Sequence, residues 1–157
     1  MSNLSKFGLG NSEIFLDSKD FKNGELDKLY PKKDTILLSK DGSVGIAYCV
    51  MQDLECVSSG AILHLRIEDS KILPQYLTLV LNSLFVKLQA ERDCGGSIIE
   101  HWRVEEIEKV LIPVLPFKIQ KDIEELITKS FELKDKATKL LQDAKIKVEK
   151  QIEQKTI

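Results

Sequence analysis

The chain has 157 residues, 43% of them hydrophobic, which is enough for one domain with a buried core and an appendage. Lys and Arg number 23 against 25 Asp and Glu, so the formal net charge is −2. This balance lacks the basic excess typical of nucleic-acid-binding domains, so DNA affinity would require a local basic patch or a partner.

The front half of the chain has mostly β character. Residues 18–34 are polar and predict a loop that turns near Asn23-Gly24. Residues 40–43 predict a tight turn in which Gly42 takes positive φ, and Gly45 is a candidate bulge. Four segments have the β-branched or alternating composition of strands: residues 12–17, 36–39, 44–50 and 61–67.

A helix is predicted next, from Pro74 to about Arg92. Its apolar residues recur at helical spacing: Leu77, Val80, Leu81, Leu84, Phe85 and Leu88. Residues 104–109 predict a short helical turn and residues 110–114 a last strand. Strands mixed with a helix in this order favour an α+β fold class rather than a repeated βαβ unit.

The composition changes at residues 113–116, and the tail that follows contains no Gly or Pro. We therefore predict a globular domain over residues 1–116 and one long helix over residues 117–157. Apolar residues of the tail follow steps of four and three, interrupted by Ser130: Ile119, Ile123, Leu126, Leu133, Ala137, Leu140 and Ala144. This heptad pattern predicts a dimerisation seam that needs a second helix, from another copy or another protein.

Cysteines and histidines are few and scattered. Cys49, Cys56 and Cys94 form no CxxC pair, and with no signal peptide or apolar membrane-spanning run, the chain is predicted to be cytoplasmic with reduced core thiols. With only His64 and His101 beside them, no metal site is predicted. His101, next to the single tryptophan, is interpreted as a packed surface histidine rather than a ligand contact.

Motifs that carry catalysis are not found in the sequence. It contains no phosphate-binding GxxxxGK[ST], no GxGxxG and no nucleophile motif, so the chain is not predicted to be an enzyme. The pair Gly95-Gly96 before Ser97 is interpreted as a plain glycine turn in preference to an anion-binding nest.

Four segments, in order, resemble the target recognition domain and spacer helix of Type I restriction–modification specificity subunits. These are DTILLSKDGSVG (34–45), SSGAILHLRI (58–67), ILPQYL (72–77) and GGSIIEHWRVEEIEKVLIPVLPFKIQKDI (95–123). The resemblance covers about residues 34–150. Leu115-Pro116 stands where the family has a proline pair, and Met1 to Glu13 lacks the loop that opens such domains. With one recognition domain and one helix, the chain resembles a half-subunit, a shortened subunit or a fragment.

The resemblance implies a mechanism. Two copies, or this chain and another half-subunit, would pair their long helices antiparallel, and each recognition domain would read half of a bipartite site in double-stranded DNA. An adenine methyltransferase subunit, which brings S-adenosylmethionine, would dock on the helices, and a motor-nuclease subunit would join for cleavage. No cofactor is expected on the chain itself, and no membrane is involved.

Polar loop residues are the candidate DNA contacts, because Lys and Arg neutralise phosphates while Ser and Asp read base edges. The candidates are Lys19, Lys22, Lys32, Lys33, Lys40, Asp41, Ser43, Arg92 and Ser97. Two other hypotheses remain open. In the first, the chain is a coiled-coil protein-binding adaptor, which the acidic excess of residues 1–116 favours. In the second, it is an inactive specificity cassette or the recognition end of a fused enzyme.

Overall fold

The computed structural model describes residues 3–12, 14–22, 24–94 and 101–155. The chain divides into two compact units, Met1–Lys121 and Asp122–Ile157. The first unit combines strands with helices, and the second belongs to one long helix. The α+β class predicted from the sequence is therefore confirmed, while the domain boundary at residues 116 and 117 stays a prediction.

The first strands form a short hairpin that the sequence did not predict. Strands β1 (Leu4–Ser5) and β2 (Gly8–Leu9) pair antiparallel, with Leu4 opposite Leu9. The predicted strand over residues 12–17 is wrong, because the described residues 14–17 have no regular structure. In this segment the hydroxyl of Ser12 accepts the N–H of Ile14 at 3.4 Å and donates to its carbonyl at 2.7 Å, so a side chain bonds backbone groups that a neighbouring strand would have to bond. Ile14 and Phe15 are 79% and 87% exposed.

The segment over residues 18–34, predicted as a loop, contains two short helices. A 3-10 helix covers Ser18–Asp20, and helix α1 covers Glu25–Leu29. The carboxylate of Asp17 accepts a hydrogen bond from the N–H of Lys19 at 3.0 Å, which satisfies a free donor at the helix start. The 3-10 helix thus begins at a side-chain cap, whereas α1 begins after Gly24, which has a left-handed conformation and makes no side-chain cap bond.

A three-stranded antiparallel sheet is the centre of the first unit. Its strands are β3 (Ile36–Ser39), β4 (Ala47–Cys49) and β5 (Ile62–Leu65), in the order β4-β3-β5. The predictions of these strands are confirmed, but β4 and β5 are shorter than predicted. β5 ends at Leu65 because that residue faces Ile36, the first residue of the central strand. All four residues of β3 are buried.

Each face of the sheet is covered. Alternation along the strands puts Leu37 and Val50 on the face that packs against Leu4 of β1. The opposite face carries Ile36, Leu38 and Ala47, all fully buried. Helix α2 (Pro74–Leu81) packs against β4.

The helix predicted from Pro74 to Arg92 is two helices, α2 and α3 (Leu84–Asp93). Pro74 opens α2 at its first turn, as predicted. The break follows from Asn82, whose side-chain amide donates to the carbonyl of Ala47 at 2.8 Å and whose carbonyl accepts the N–H of Ala47 at 3.1 Å. Asn82 thereby acts as a partner for the edge of β4, and the chain turns before α3.

The next segments are short and fixed by side chains. Helix α4 (Val104–Ile107) begins where the carboxylate of Glu106 accepts the N–H of Arg103 at 3.1 Å. The predicted strand over residues 110–114 is wrong. Gln89 of α3 bonds both backbone groups of Leu111 at 3.0 Å, and the hydroxyl of Tyr76 donates to the carbonyl of Pro113 at 2.7 Å. These side chains occupy polar groups that a neighbouring strand would have bonded.

Helix α5 (Phe117–Lys155) begins at the predicted residue and has 39 residues, about 58 Å at 1.5 Å per residue. Its first turn belongs to the first unit, where Gln120 is completely buried. Within the second unit every residue from 132 to 154 is exposed. Among the described residues no helix has the length and apolar character needed to cross a membrane.

Candidate nucleic-acid interface

The turn between β3 and β4, residues 40–45, is built around one buried serine. Ser39 is 1% exposed; its hydroxyl donates to the carbonyl of Ser43 and accepts the N–H of Ile46 at 2.9 Å. The N–H of Gly45 also bonds the carbonyl of Ser39 at 2.9 Å. Gly42 and Gly45 have φ of 76° and 80°, a left-handed conformation that favours glycine. The predicted positive φ at Gly42 is confirmed.

The carboxylate of Asp41 joins this turn to a distant part of the chain. One oxygen accepts from the Lys40 ammonium at 2.7 Å, and the other accepts from Nδ1 of His101 at 2.9 Å. The backbones of the two segments are bonded as well, because the N–H of Trp102 donates to the carbonyl of Lys40 at 2.7 Å. The Lys40 hydrogen bond, followed by that of His101, lowers the pKa of Asp41, so the carboxylate is ionised at neutral pH. The turn is therefore held at both ends.

His101 was not among the predicted site residues. Its side chain is 60% exposed. The interpretation as a surface histidine is therefore right, but the side chain is not packed as expected. It meets Asp41 across 60 positions of sequence, and no spacing rule could have paired them. Trp102 beside it is 1% exposed, and its indole N–H has no hydrogen-bond partner among the described residues.

The predicted DNA-contacting residues of this turn differ in how exposed their side chains are and in whether they are already paired. Ser43 is exposed at the outer part of the turn. The ammonium of Lys40 is already paired with Asp41, and about a quarter of each side chain is exposed. The structure thus brings Lys40, Asp41 and Ser43 together on one ordered turn, as predicted, and adds His101 to it.

The four lysines predicted before β3 all lie exposed on residues 18–34. The ammonium of Lys32 pairs with Asp53 at 3.4 Å, and the N–H of Lys33 donates to the same carboxylate at 2.9 Å. That N–H is the main cause that lowers the pKa of Asp53. The ammonium groups of Lys19, Lys22 and Lys33 form no ion pair in the described part of the chain.

The two remaining predicted contacts have separate outcomes. Arg92, near the end of α3, forms an ion pair with Asp93 at 2.7 Å, which raises the pKa of Arg92 and lowers that of Asp93. Its guanidinium group is therefore engaged within its own helix end. Ser97 lies outside the described residues.

A second polar group, absent from the sequence prediction, lies on β5 and the segment before it. The hydroxyl of Ser58 and Nε2 of His64 are 2.8 Å apart, within hydrogen-bonding distance. Partial burial and then the charge of Arg66 lower the pKa of His64, so its imidazole is neutral at pH 7. Arg66 lies two residues after His64, directly beyond the end of β5.

The cysteines belong to the fold of the first unit. Cys49 on β4 and Cys94 after α3 are buried, as expected for core cysteines, and Cys56 is half-buried. Burial raises the pKa of the Cys56 thiol, which disfavours the reactive thiolate.

The residues predicted for dimerisation all lie on α5. Leu126, Leu133 and Leu140 are 69%, 57% and 59% exposed. Val148 and Ile152, beyond the predicted seam, are exposed to a similar degree. The pairing predicted for this face stays a prediction, but a row of exposed large apolar residues is the feature that such pairing requires.

Comparison with known proteins gives one family. The family model of the Type I restriction modification DNA specificity domain matches residues 10–150, most of the chain. A search of curated proteins found no match. The matched span includes the turn at residues 40–45, the lysines before β3 and nearly all of α5.

Proposed function

We infer that this chain, which belongs to the Type I restriction modification DNA specificity domain family, recognises one half of a bipartite site in double-stranded DNA. It does so for an adenine methyltransferase subunit, which supplies S-adenosylmethionine and the catalytic groups. A motor-nuclease subunit joins the same assembly for cleavage.

The observation that carries this proposal is the ordered turn over residues 40–45. Asp41 ties it to His101, and Ser39 fixes its backbone from inside the fold. A turn held at both ends presents Ser43 without a large ordering cost on binding. Hydroxyl groups of this kind contact base edges or phosphates in DNA complexes.

Phosphate contacts are assigned to the lysines on residues 18–34. Lys19, Lys22 and Lys33 are exposed and carry no ion pair in the described residues, so their charge is available to DNA. Lys32 would have to leave Asp53, and Lys40 would have to leave Asp41. We therefore rank Lys33 above Lys32 and Lys40 as a phosphate contact. The small number of such cations makes a contribution from partner subunits necessary.

The long helix is assigned to pairing and docking. Its exposed apolar row matches the requirement of an antiparallel coiled coil with another copy or another half-subunit. The methyltransferase subunit would dock on the paired helices. Antiparallel pairing directs the two recognition domains to opposite ends, as an interrupted site requires.

The test is DNA binding by the chain assembled with its cognate methyltransferase subunit, measured as log K against log salt. Lys33→Ala should lower the slope by about 0.9, the value for one lost phosphate contact. Ser43→Ala should weaken binding to the recognised site more than binding to random DNA, with the slope unchanged. Lys87→Ala is the matched control, because Lys87 is paired with Glu91 along α3.

Two results would contradict the proposal. Equal slopes for wild type, Lys33→Ala and Lys87→Ala would remove the phosphate assignment. Absence of any DNA binding by the assembled complex would favour the protein-binding adaptor, in agreement with the 13 basic and 17 acidic residues of residues 1–116.

A further inference from the structure

Arg66 differs from the other arginines of the chain in having no acidic partner among the described residues. The sequence contains three arginines. Arg92 forms an ion pair with Asp93, and Arg103 forms one with Glu106. Arg66 lies exposed directly after β5, and within the described ranges its side chain makes neither an ion pair nor a hydrogen bond. The N–H donors of its guanidinium group are therefore available to a ligand.

The neighbouring pair of Ser58 and His64 adds an uncharged donor. The serine hydroxyl and Nε2 of the imidazole are 2.8 Å apart. If the serine donates this hydrogen bond, Nδ1 of His64 keeps its hydrogen. If Nε2 donates it, the serine hydroxyl keeps its own hydrogen instead. In either tautomer the pair has one polar hydrogen left for a ligand.

The charge next to His64 is positive. Partial burial, and then the charge of Arg66, lowers the pKa of His64, whereas a nearby carboxylate would raise it by stabilising the imidazolium. Glu68, two residues beyond Arg66, is exposed and has no ion pair in the part of the chain that the structure describes. The group of Ser58, His64 and Arg66, here called the β5 donor group, therefore favours an anionic ligand.

The β5 donor group adjoins the turn over residues 40–45. The N–H of Lys40 donates to the carbonyl of Ala61, just before β5, at 2.9 Å. From Ala61 to His64 the chain advances three residues, about 10 Å in a strand. A single duplex is large enough to reach both places, because the major groove alone is about 12 Å wide. β5 is also an edge strand among the described strands, so no further strand of that part of the chain covers its outer side.

We propose that the β5 donor group binds a phosphate of the DNA backbone, with Arg66 as the charged contact and the pair of Ser58 and His64 as the uncharged one. This inference rests on the DNA recognition proposed above and adds a contact outside the residues assigned there. A guanidinium group bonds two phosphate oxygens at once, which an ammonium group does not do in the same planar geometry. Such a contact fixes the orientation of the domain on the duplex and reads no sequence.

The test is DNA binding by the chain assembled with its cognate methyltransferase subunit, measured as log K against log salt. Arg66→Ala should lower the slope by about 0.9 and weaken binding to the recognised site and to random DNA alike, by about tenfold at about 0.1 M salt. Arg66→Lys should restore the slope, because it keeps the charge, but not the full affinity, because it loses the planar geometry. Ser58→Ala should weaken binding with the slope unchanged.

Two controls separate a lost contact from a lost fold. Lys87→Ala removes a charge that is already paired with Glu91 and should leave the slope unchanged. The urea midpoint of Arg66→Ala should equal that of wild type, because the side chain is exposed. A loss of folded protein would lower the apparent affinity equally at every salt concentration, so only a lost phosphate contact changes the slope.

The possible failures are distinguishable. A wild-type slope for Arg66→Ala, in an assembly whose slope does respond to Lys33→Ala, would overturn the phosphate contact and leave DNA recognition standing. Weakened binding confined to the recognised site would also overturn it, because Arg66 would then read a base. Absence of DNA binding by the wild-type assembly would overturn this inference together with the proposed function.

Discussion

At the scale of single residues, Asp41 connects the fold to the proposed contact surface. Its lowered pKa means that the folded state holds the ionised form more tightly than the unfolded chain does. The resulting stability is fully present above the ordinary value of 3.8 and is lost as pH falls through the lowered pKa. Acid should therefore weaken the link between the turn and His101.

The corresponding prediction concerns Asp41→Asn. At about pH 6 the variant should be less stable than wild type, and the difference should shrink as pH falls below 3.8 and through the lowered pKa of the wild-type carboxyl. Urea midpoints across this range measure it. Asp20→Asn is the control, because Asp20 forms no ion pair in the described residues. A constant difference between wild type and Asp41→Asn at all pH values would contradict the account.

Gln120 has a structural role at the root of α5. Its amide nitrogen donates to the carbonyls of Lys71 at 2.9 Å and Leu115 at 2.7 Å, and its oxygen accepts the N–H of Leu73 at 3.0 Å. The side chain is fully buried, and all three bonds connect to backbone. Together they fix the first helical turn to Leu115 just before it and to the segment that precedes α2.

Replacement of Gln120 should therefore be costly. Gln120→Ala leaves two carbonyls and one N–H without their partner, and we expect a loss of about 3 kcal/mol in the free energy of unfolding. Gln142→Ala, on the exposed part of the same helix, should change stability by less than about 0.5 kcal/mol. Chemical denaturation of both variants measures the contrast. Equal effects would show that the three bonds do not stabilise the fold.

At the scale of elements, sequence patterns correctly predicted the strands and helix starts that depend on residues close by in the chain. The strands around Gly42 and the start of α5 follow from turn chemistry and from the change in composition, and both are observed. The long helix between Pro74 and Arg92 was not divided in advance. Its break depends on Asn82 meeting Ala47, a contact between residues far apart in sequence.

The two strands that are not formed have a related explanation. Residues 12–17 and 110–114 have β-like composition, but a strand also needs a neighbour. Around Leu111 the neighbour is the side chain of Gln89, which bonds both backbone groups. Periodicity describes one segment at a time and contains no information about such partners.

The candidate site likewise contains residues that the sequence identified and one that it could not identify. The resemblance to a recognition domain selected Lys40, Asp41 and Ser43, and the structure places them on one turn. It did not select His101, because the Asp41–His101 contact exists only after folding. It also could not rank the lysines, since availability depends on ion pairs such as that of Lys32 with Asp53.

At the scale of the whole molecule, the proposed pairing sets a length. The 39 residues of α5 extend for about 58 Å, so antiparallel pairing along the whole helix would put the two helix starts about that far apart. This exceeds one turn of DNA, about 34 Å. Two identical recognition domains so spaced would read two identical half-sites in opposite orientation, separated by bases that neither contacts.

The most direct test of the recognition role is the genome-wide adenine methylation pattern of the source cell with and without this gene. On deletion of the gene one interrupted motif should lose its methylation, and the wild-type gene should restore it. An unchanged pattern, in cells shown to express the protein together with its methyltransferase subunit, would contradict the recognition role.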